Sequence, residues 1–189
     1  MGDFSLLAAW AIWPALSLAS RIVGALLFLT AAWGKLKHFD EFVGLVARYK
    51  LTPYALARSA AFLIVGLELI AALSLLTGFF LRIGAGLAVA LLAGFAFAML
   101  AAWLRGEREL DCGCFQSALR QRVEPALIVR NFLLIALVLP AMLPPTGTLH
   151  AGTLIDGVGA GVTIFLLVQA FGNLLALQHA RSKLSTGGQ

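Results

Sequence analysis

Residues 59–104 read SAAFLIVGLELIAALSLLTGFFLRIGAGLAVALLAGFAFAMLAAWL, and their reading decides the fold. Glu68 and Arg82 are the charged residues of this stretch. Two apolar runs, 59–77 and 83–104, flank a turn signal at Gly78 and Arg82. Each run matches a hydrocarbon core about 30 Å thick at about 1.5 Å of helix rise per residue. Backbone amides in lipid must be satisfied within their own segment, so the runs are expected to be helices. Alternating strand patterns are absent, and the two runs are read as a membrane-spanning hairpin.

The same pattern continues outward. An apolar stretch from about Phe4 to Trp33 is interrupted by Pro14 and Arg21, which places a first span at 15–34 after an interfacial approach. After the polar 105–124 loop, Pro125 suits the first position of a helix, where its missing N–H costs nothing. That span is expected over 126–143. Pro144, Pro145, Thr146 and Gly147 form a turn signal, and a last span covers 153–177. Across 189 residues, 61% are hydrophobic and 12% charged, against about a quarter charged in soluble domains. The expected fold is an all-α polytopic bundle with five spans, one membrane domain over residues 1–189. The start, MGDFSLLAAW, lacks the basic beginning and small-residue cleavage site of a cleavable signal peptide.

The net charge of +5 has no soluble basic patch behind it, so nucleic acid is not an expected partner; the lipid bilayer is. With five spans, one side carries eleven basic residues in the 35–58 loop, the 105–124 loop and the tail, against Arg21 and Arg82 on the other. The positive-inside rule places the first side in the cytoplasm and the N-terminus outside. Residues 35–58 alternate apolar and charged without a spanning run. They are read as a surface-lying segment with Phe39, Phe42, Val43 and Val46 inward at helical spacing. Trp33, Tyr49, Tyr54 and Trp103 fall near interfaces, where amphipathic aromatic rings anchor. Glycines and alanines from Gly84 to Gly94 read as close helix packing.

Asp111, Cys112, Gly113, Cys114 and Phe115 are the strongest chemical signal. Two cysteines two positions apart exclude a disulfide-stapled secreted scaffold. The intervening glycine permits the sharp bend a bridge over so few residues needs, and a strained, exposed disulfide exchanges readily. Arg105, Arg108, Arg120 and Arg122 favour a thiolate there while Asp111 opposes it. Two thiolates also suit Cu(I) or Zn(II), but a closed zinc site needs four ligands, no second cysteine pair exists, and His38 is the one imidazole nearby. The bland alternative is a pair of inert small residues lining a loop.

Glu68 is the second candidate, because a carboxylate within an apolar span is a functional hypothesis by default. Arg130 is the partner the sequence suggests, with Asn131 beside it able to hydrogen-bond another helix. A structural Glu–Arg or Glu–Asn pair and a proton or quinone site are equally open readings. Asp156 is expected to cap the last helix or sit in its first turn.

Taken in order, FLTAAWGKLKHFDEF, the helix carrying Glu68, RGEREL before DCGCF, and EPALIVRNFLLIAL resemble the MauE family. The resemblance covers about Arg21 to Leu143 and is weaker in the final span. It places the chain within the DoxX-like group of small helical membrane proteins, with a four-helix core and an added C-terminal helix. It implies a bacterial inner-membrane role in methylamine utilisation: maturation, processing or export of the disulfide-rich methylamine dehydrogenase small subunit. The thioredoxin-like MauD is the usual companion of that family. A departure from the family's glycine after CGCF is Gln116.

On this resemblance Cys112 and Cys114 are a candidate redox pair exchanging electrons with the MauD-type protein, an accessory role more than an enzymatic one. A DoxX-type oxidoreductase subunit linking thiols to quinone is the alternative and would make quinone its cofactor. A small-solute transporter, favoured by Glu68, is the third. The charge bias sets the cysteine loop in the cytoplasm, whereas the implied client matures in the periplasm. Reducing equivalents crossing the membrane, a span count off by one, or a different client for the thiols would each resolve this.

Overall fold

A computed structural model describes residues 2–50, 52–106, 125–143 and 151–186. Among the described residues the chain is helical: α1 (Gly2–Lys37), α2 (Phe39–Arg48), α3 (Ala57–Thr77), α4 (Leu81–Leu104), α5 (Pro125–Val138) and α6 (Ala151–Thr186). Short 3₁₀ turns at Tyr54–Leu56 and Leu139–Met142 lead into α3 and prolong α5.

Four helical stretches are long and apolar enough to cross a bilayer: Trp13–Lys37, Tyr54–Thr77, Leu81–Leu104 and Ala151–Leu174. The shorter apolar stretch Leu127–Met142 belongs to α5 and its 3₁₀ extension, which together rise roughly 29 Å. The molecule is an all-α polytopic membrane bundle. Two helices are longer than their apolar runs. α1 is continuous from Gly2 through Pro14, an interruption that neighbouring helices make tolerable in membrane segments. α6 begins at Ala151, so Asp156 lies exposed beyond its first turn and does not cap it.

α1, α3, α4 and α5 pack in a ring, α1 on α3, α3 on α4, α4 on α5 and α5 on α1, with α3 and α5 at opposite corners. α6 lies outside the ring against α1. The buried face of α3 carries Ala57, Ala61, Val65, Glu68, Ala72 and Leu75, a stripe at three- and four-residue steps. The other faces are exposed and apolar: Phe62, Leu63, Ile70, Leu73, Phe97 and Phe132 lie outward. The main core joins Val23, Leu27 and Phe28 of α1 to Leu75, Ala88, Leu92, Leu134 and Val138.

Small residues set the closest approaches. A Cβ on Gly84 would collide with the Ser74 side chain, so the α3–α4 hairpin depends on that glycine. Gly94 meets nothing within 4 Å, so close packing holds for only part of the glycine-rich stretch. On α6, a Cβ at Gly157 would lie 2.8 Å from Leu18 Cδ2, and one at Gly161 would lie 2.9 Å from the Ala19 carbonyl oxygen. This small-xxx-small spacing lets the α6 backbone press onto α1. Gly78 turns the hairpin at φ +76°, a left-handed conformation glycine adopts without steric cost. Arg21 Nε donates to the Leu75 carbonyl at 3.2 Å and ties α1 to that end of the hairpin.

Candidate functional site

Among the described residues, Ser17, Ser20, Lys35, Glu68, Arg130 and Asn131 are the buried polar or charged side chains. Glu68 on α3 and Asn131 on α5 are fully buried, and Lys35 on α1 is 1% exposed. Lys35 Nζ donates to Glu68 Oε1, a buried ion pair joining α1 to α3. Two aromatic faces complete the surroundings of the ammonium: the Phe95 ring of α4, centroid 4.7 Å away, and the Phe42 ring of α2, 5.2 Å away. A desolvated cation gains from such quadrupole contacts, and the carboxylate balances its charge within a low-dielectric interior.

This corrects the expectation from sequence, which paired Glu68 with Arg130 and counted Lys35 among the loop charges. α1 does not stop at Gly34. It runs to Lys37, and Lys35 therefore occupies the same helical face as Phe28, Ala31 and Ala32, all buried. The missed signal is that spacing: Lys35 lies four residues after Ala31 and seven after Phe28. Arg130 is itself nearly buried at 7% exposure, one residue before the inward Asn131.

The pair sits beneath α2. Phe42 is buried against Ala32, Ala61 and Val65, with Phe39, Val43 and Val46 packed on the same cluster. Phe39 meets Phe62 of α3 with ring centroids 4.4 Å apart and planes tilted by 44°. The apolar face of α2 is thus turned onto the bundle and closes it over the ion pair. The far end of α2 is latched by Arg105, whose Nη2 donates to the Tyr49 carbonyl at 2.8 Å. Tyr49 packs in a cluster with Met99, Ala102 and Leu127 and is buried, unlike Trp33 and Tyr54, which are exposed as interfacial anchors would be.

Arg105 is also the point where α4 hands over to the cysteine loop. Cys112, Cys114 and Gln116 lie outside the described residues, between α4 and α5. α4 and α5 carry both ends of that loop to the side of the bundle where α2 lies. Among the described residues no three His, Cys, Asp or Glu side chains gather to hold a metal ion. His38 is exposed, with Nδ1 3.6 Å from Glu41 Oε1.

Residues 6–144 match the family described as Methylamine utilisation protein MauE. The chain belongs to the MauE family. The Methylamine utilization protein MauE of Paracoccus denitrificans is 37% identical over 180 residues, covering 92% of this chain and 96% of that protein. The one from Methylorubrum extorquens is 33% identical over 178 residues, with 92% and 96% covered. The one from Methylophilus methylotrophus is 39% identical over 101 residues, 53% of each chain. No solved structure matches. The MauE family match takes in Lys35, Glu68, Asn131 and both cysteines and ends before α6 begins.

Proposed function

We propose that this chain is an inner-membrane accessory protein for maturation of the methylamine dehydrogenase small subunit. Its chemistry is thiol–disulfide exchange at Cys112–Gly113–Cys114 with a thioredoxin-like, MauD-type partner. The observation that carries the reading is the family match over residues 6–144, which contains the whole Cys-Gly-Cys loop. The relatives' names place them in methylamine utilisation. In each exchange a thiolate attacks a disulfide sulfur, a mixed disulfide forms, and the neighbouring thiol resolves it. Two electrons and two protons leave the dithiol that becomes a disulfide and reach the disulfide that becomes a dithiol, so the balance closes between the partners.

The bundle's share in this work is to hold the loop. α4 and α5 flank it, and Arg105, just past the end of α4, latches the far end of α2. With Lys35 withdrawn into the core, ten basic residues remain in the segments on the loop's side against Arg21 and Arg82 on the other. That bias favours a cytoplasmic loop and an outside N-terminus, so that exchange precedes export of the small subunit. The test is a trap: Cys112→Ser and Cys114→Ser variants are expressed with the MauD-type protein and the small subunit. One of the two is expected to accumulate a mixed disulfide, seen as a reducible higher band containing either protein. Neither variant forming one under conditions that trap a control thioredoxin would overturn the exchange.

A further inference from the structure

Beyond the ion pair, the same level of the bundle holds hydrogen-bonding capacity that the described residues leave without partners. Glu68 Oε2, Asn131 Oδ1 and Asn131 Nδ2 are all buried, and none has a hydrogen-bond partner among the described residues. Both residues are fully buried, from opposite corners of the ring. They also share a level. Asn131 lies one turn from Leu127, which packs with Met99 near Phe95, and three residues from Leu134 of the main core. Glu68 lies three residues from Val65, in the cluster beneath α2, and four from Ala72 of the main core. Phe95, which also faces Lys35, belongs to the Met99 cluster. The three polar residues therefore lie at the level where the loop-side clusters give way to the main core.

Polar atoms held in a membrane interior without partners are strongly disfavoured, and buried polar groups nearly always find partners, protein or water. The demand at this junction is specific. Glu68 Oε2 and Asn131 Oδ1 need donors, and Asn131 Nδ2 needs an acceptor. Lys35 and Glu68 already offset each other's charge, so a second ion is not what the junction lacks. A neutral molecule that both donates and accepts, and is small enough for a close-packed interior, meets the demand.

We infer that the junction between Glu68 and Asn131 is a water-binding site inside the transmembrane bundle. Water there supplies the donors and the acceptor that these atoms lack, nearly as well as a direct hydrogen bond would. The site does not depend on the thiol-exchange reading and stands or falls separately from it.

The chain has two asparagines, Asn131 and Asn173, which makes the test selective. The full-length protein, labelled with nitrogen-15 at asparagine and reconstituted in liposomes, is examined by water-edited solid-state NMR, with Asn173→Gln assigning the signals. The Asn131 side-chain amide is expected to gain water magnetisation several-fold faster than its own backbone amide, which is enclosed in α5. Equal, slow build-up at both positions would overturn the inference. So would native mass spectrometry showing a small organic molecule retained by the parent protein and lost in Asn131→Leu, because the ligand would then not be water.

Discussion

Replacing Lys35 with methionine keeps the apolar stem of the side chain and removes the ammonium, leaving the fully buried Glu68 without its counter-ion. Removing one partner of a buried pair costs about 3–5 kcal/mol, because the remaining charge is uncompensated. At about 1.4 kcal/mol per tenfold, the folded-to-unfolded ratio falls by roughly two to four orders of magnitude. The contacts to Phe42 and Phe95 are lost with the same change, so the upper half of that range is expected. Glu68→Leu strands the ammonium instead and should cost a similar amount. The double variant Lys35→Met with Glu68→Leu should return close to the parent, since apolar residues of similar volume replace buried ion pairs at little cost. Reversible unfolding in mixed micelles with rising SDS, followed by far-UV circular dichroism, gives the four corners of this cycle. A Lys35→Met protein within about 1 kcal/mol of the parent, or a double variant no better than the worse single one, would refute the reasoning.

Gly161→Ala should weaken the seat of α6 on α1 by about 1–3 kcal/mol, because the added Cβ meets a backbone oxygen that cannot give way; Gly159→Ala, facing open space, should be neutral in the same unfolding assay. Gly78→Ala forces a left-handed φ on a residue with a Cβ, which costs about 1–2 kcal/mol, and also crowds the Arg21 guanidinium. A lower midpoint in detergent is the expected reading. Arg105→Met breaks the bond to the Tyr49 carbonyl and should raise the rate of tryptic cleavage after Lys50 while leaving global unfolding within about 1 kcal/mol of the parent. A membrane-impermeant maleimide should label Cys112 and Cys114 only after lysis of intact cells; labelling from outside after reduction would reverse the proposed topology.

The helical hairpin was legible because its two apolar runs are uninterrupted and match the bilayer thickness, so length alone sets the element type. Glu68 was legible for the same reason, as a lone carboxylate in an apolar run. Its partner was not. Lys35 follows Trp33 and Gly34 among loop-like charges, and only the continuation of α1 to Lys37 brings it onto the core face. A sequence shows that a buried carboxylate needs a cation but not which helix supplies it, and Arg130 was the nearer guess in kind though not in place. The sequence suggests that Asn131 can hydrogen-bond another helix; it is turned fully inward, but its side-chain amide has no partner among the described residues. Tyr49 falls near an expected interface in the sequence, yet it is buried, because α2 folds back onto the bundle and carries it into contact with Met99 and Leu127. α6 starts at Ala151, two residues before the expected span, which puts Asp156 beyond the first turn and not at the cap.

The most direct test of thiol exchange in maturation is a strain lacking its own copy of this gene, complemented with the parent or the Cys112→Ser and Cys114→Ser double variant. Methylamine dehydrogenase activity and small-subunit level are then measured after confirming equal amounts of the membrane protein. The account predicts that the parent restores both and the double variant restores neither. A double variant that restores full dehydrogenase activity would contradict it, leaving the bundle without its cysteines as the working part.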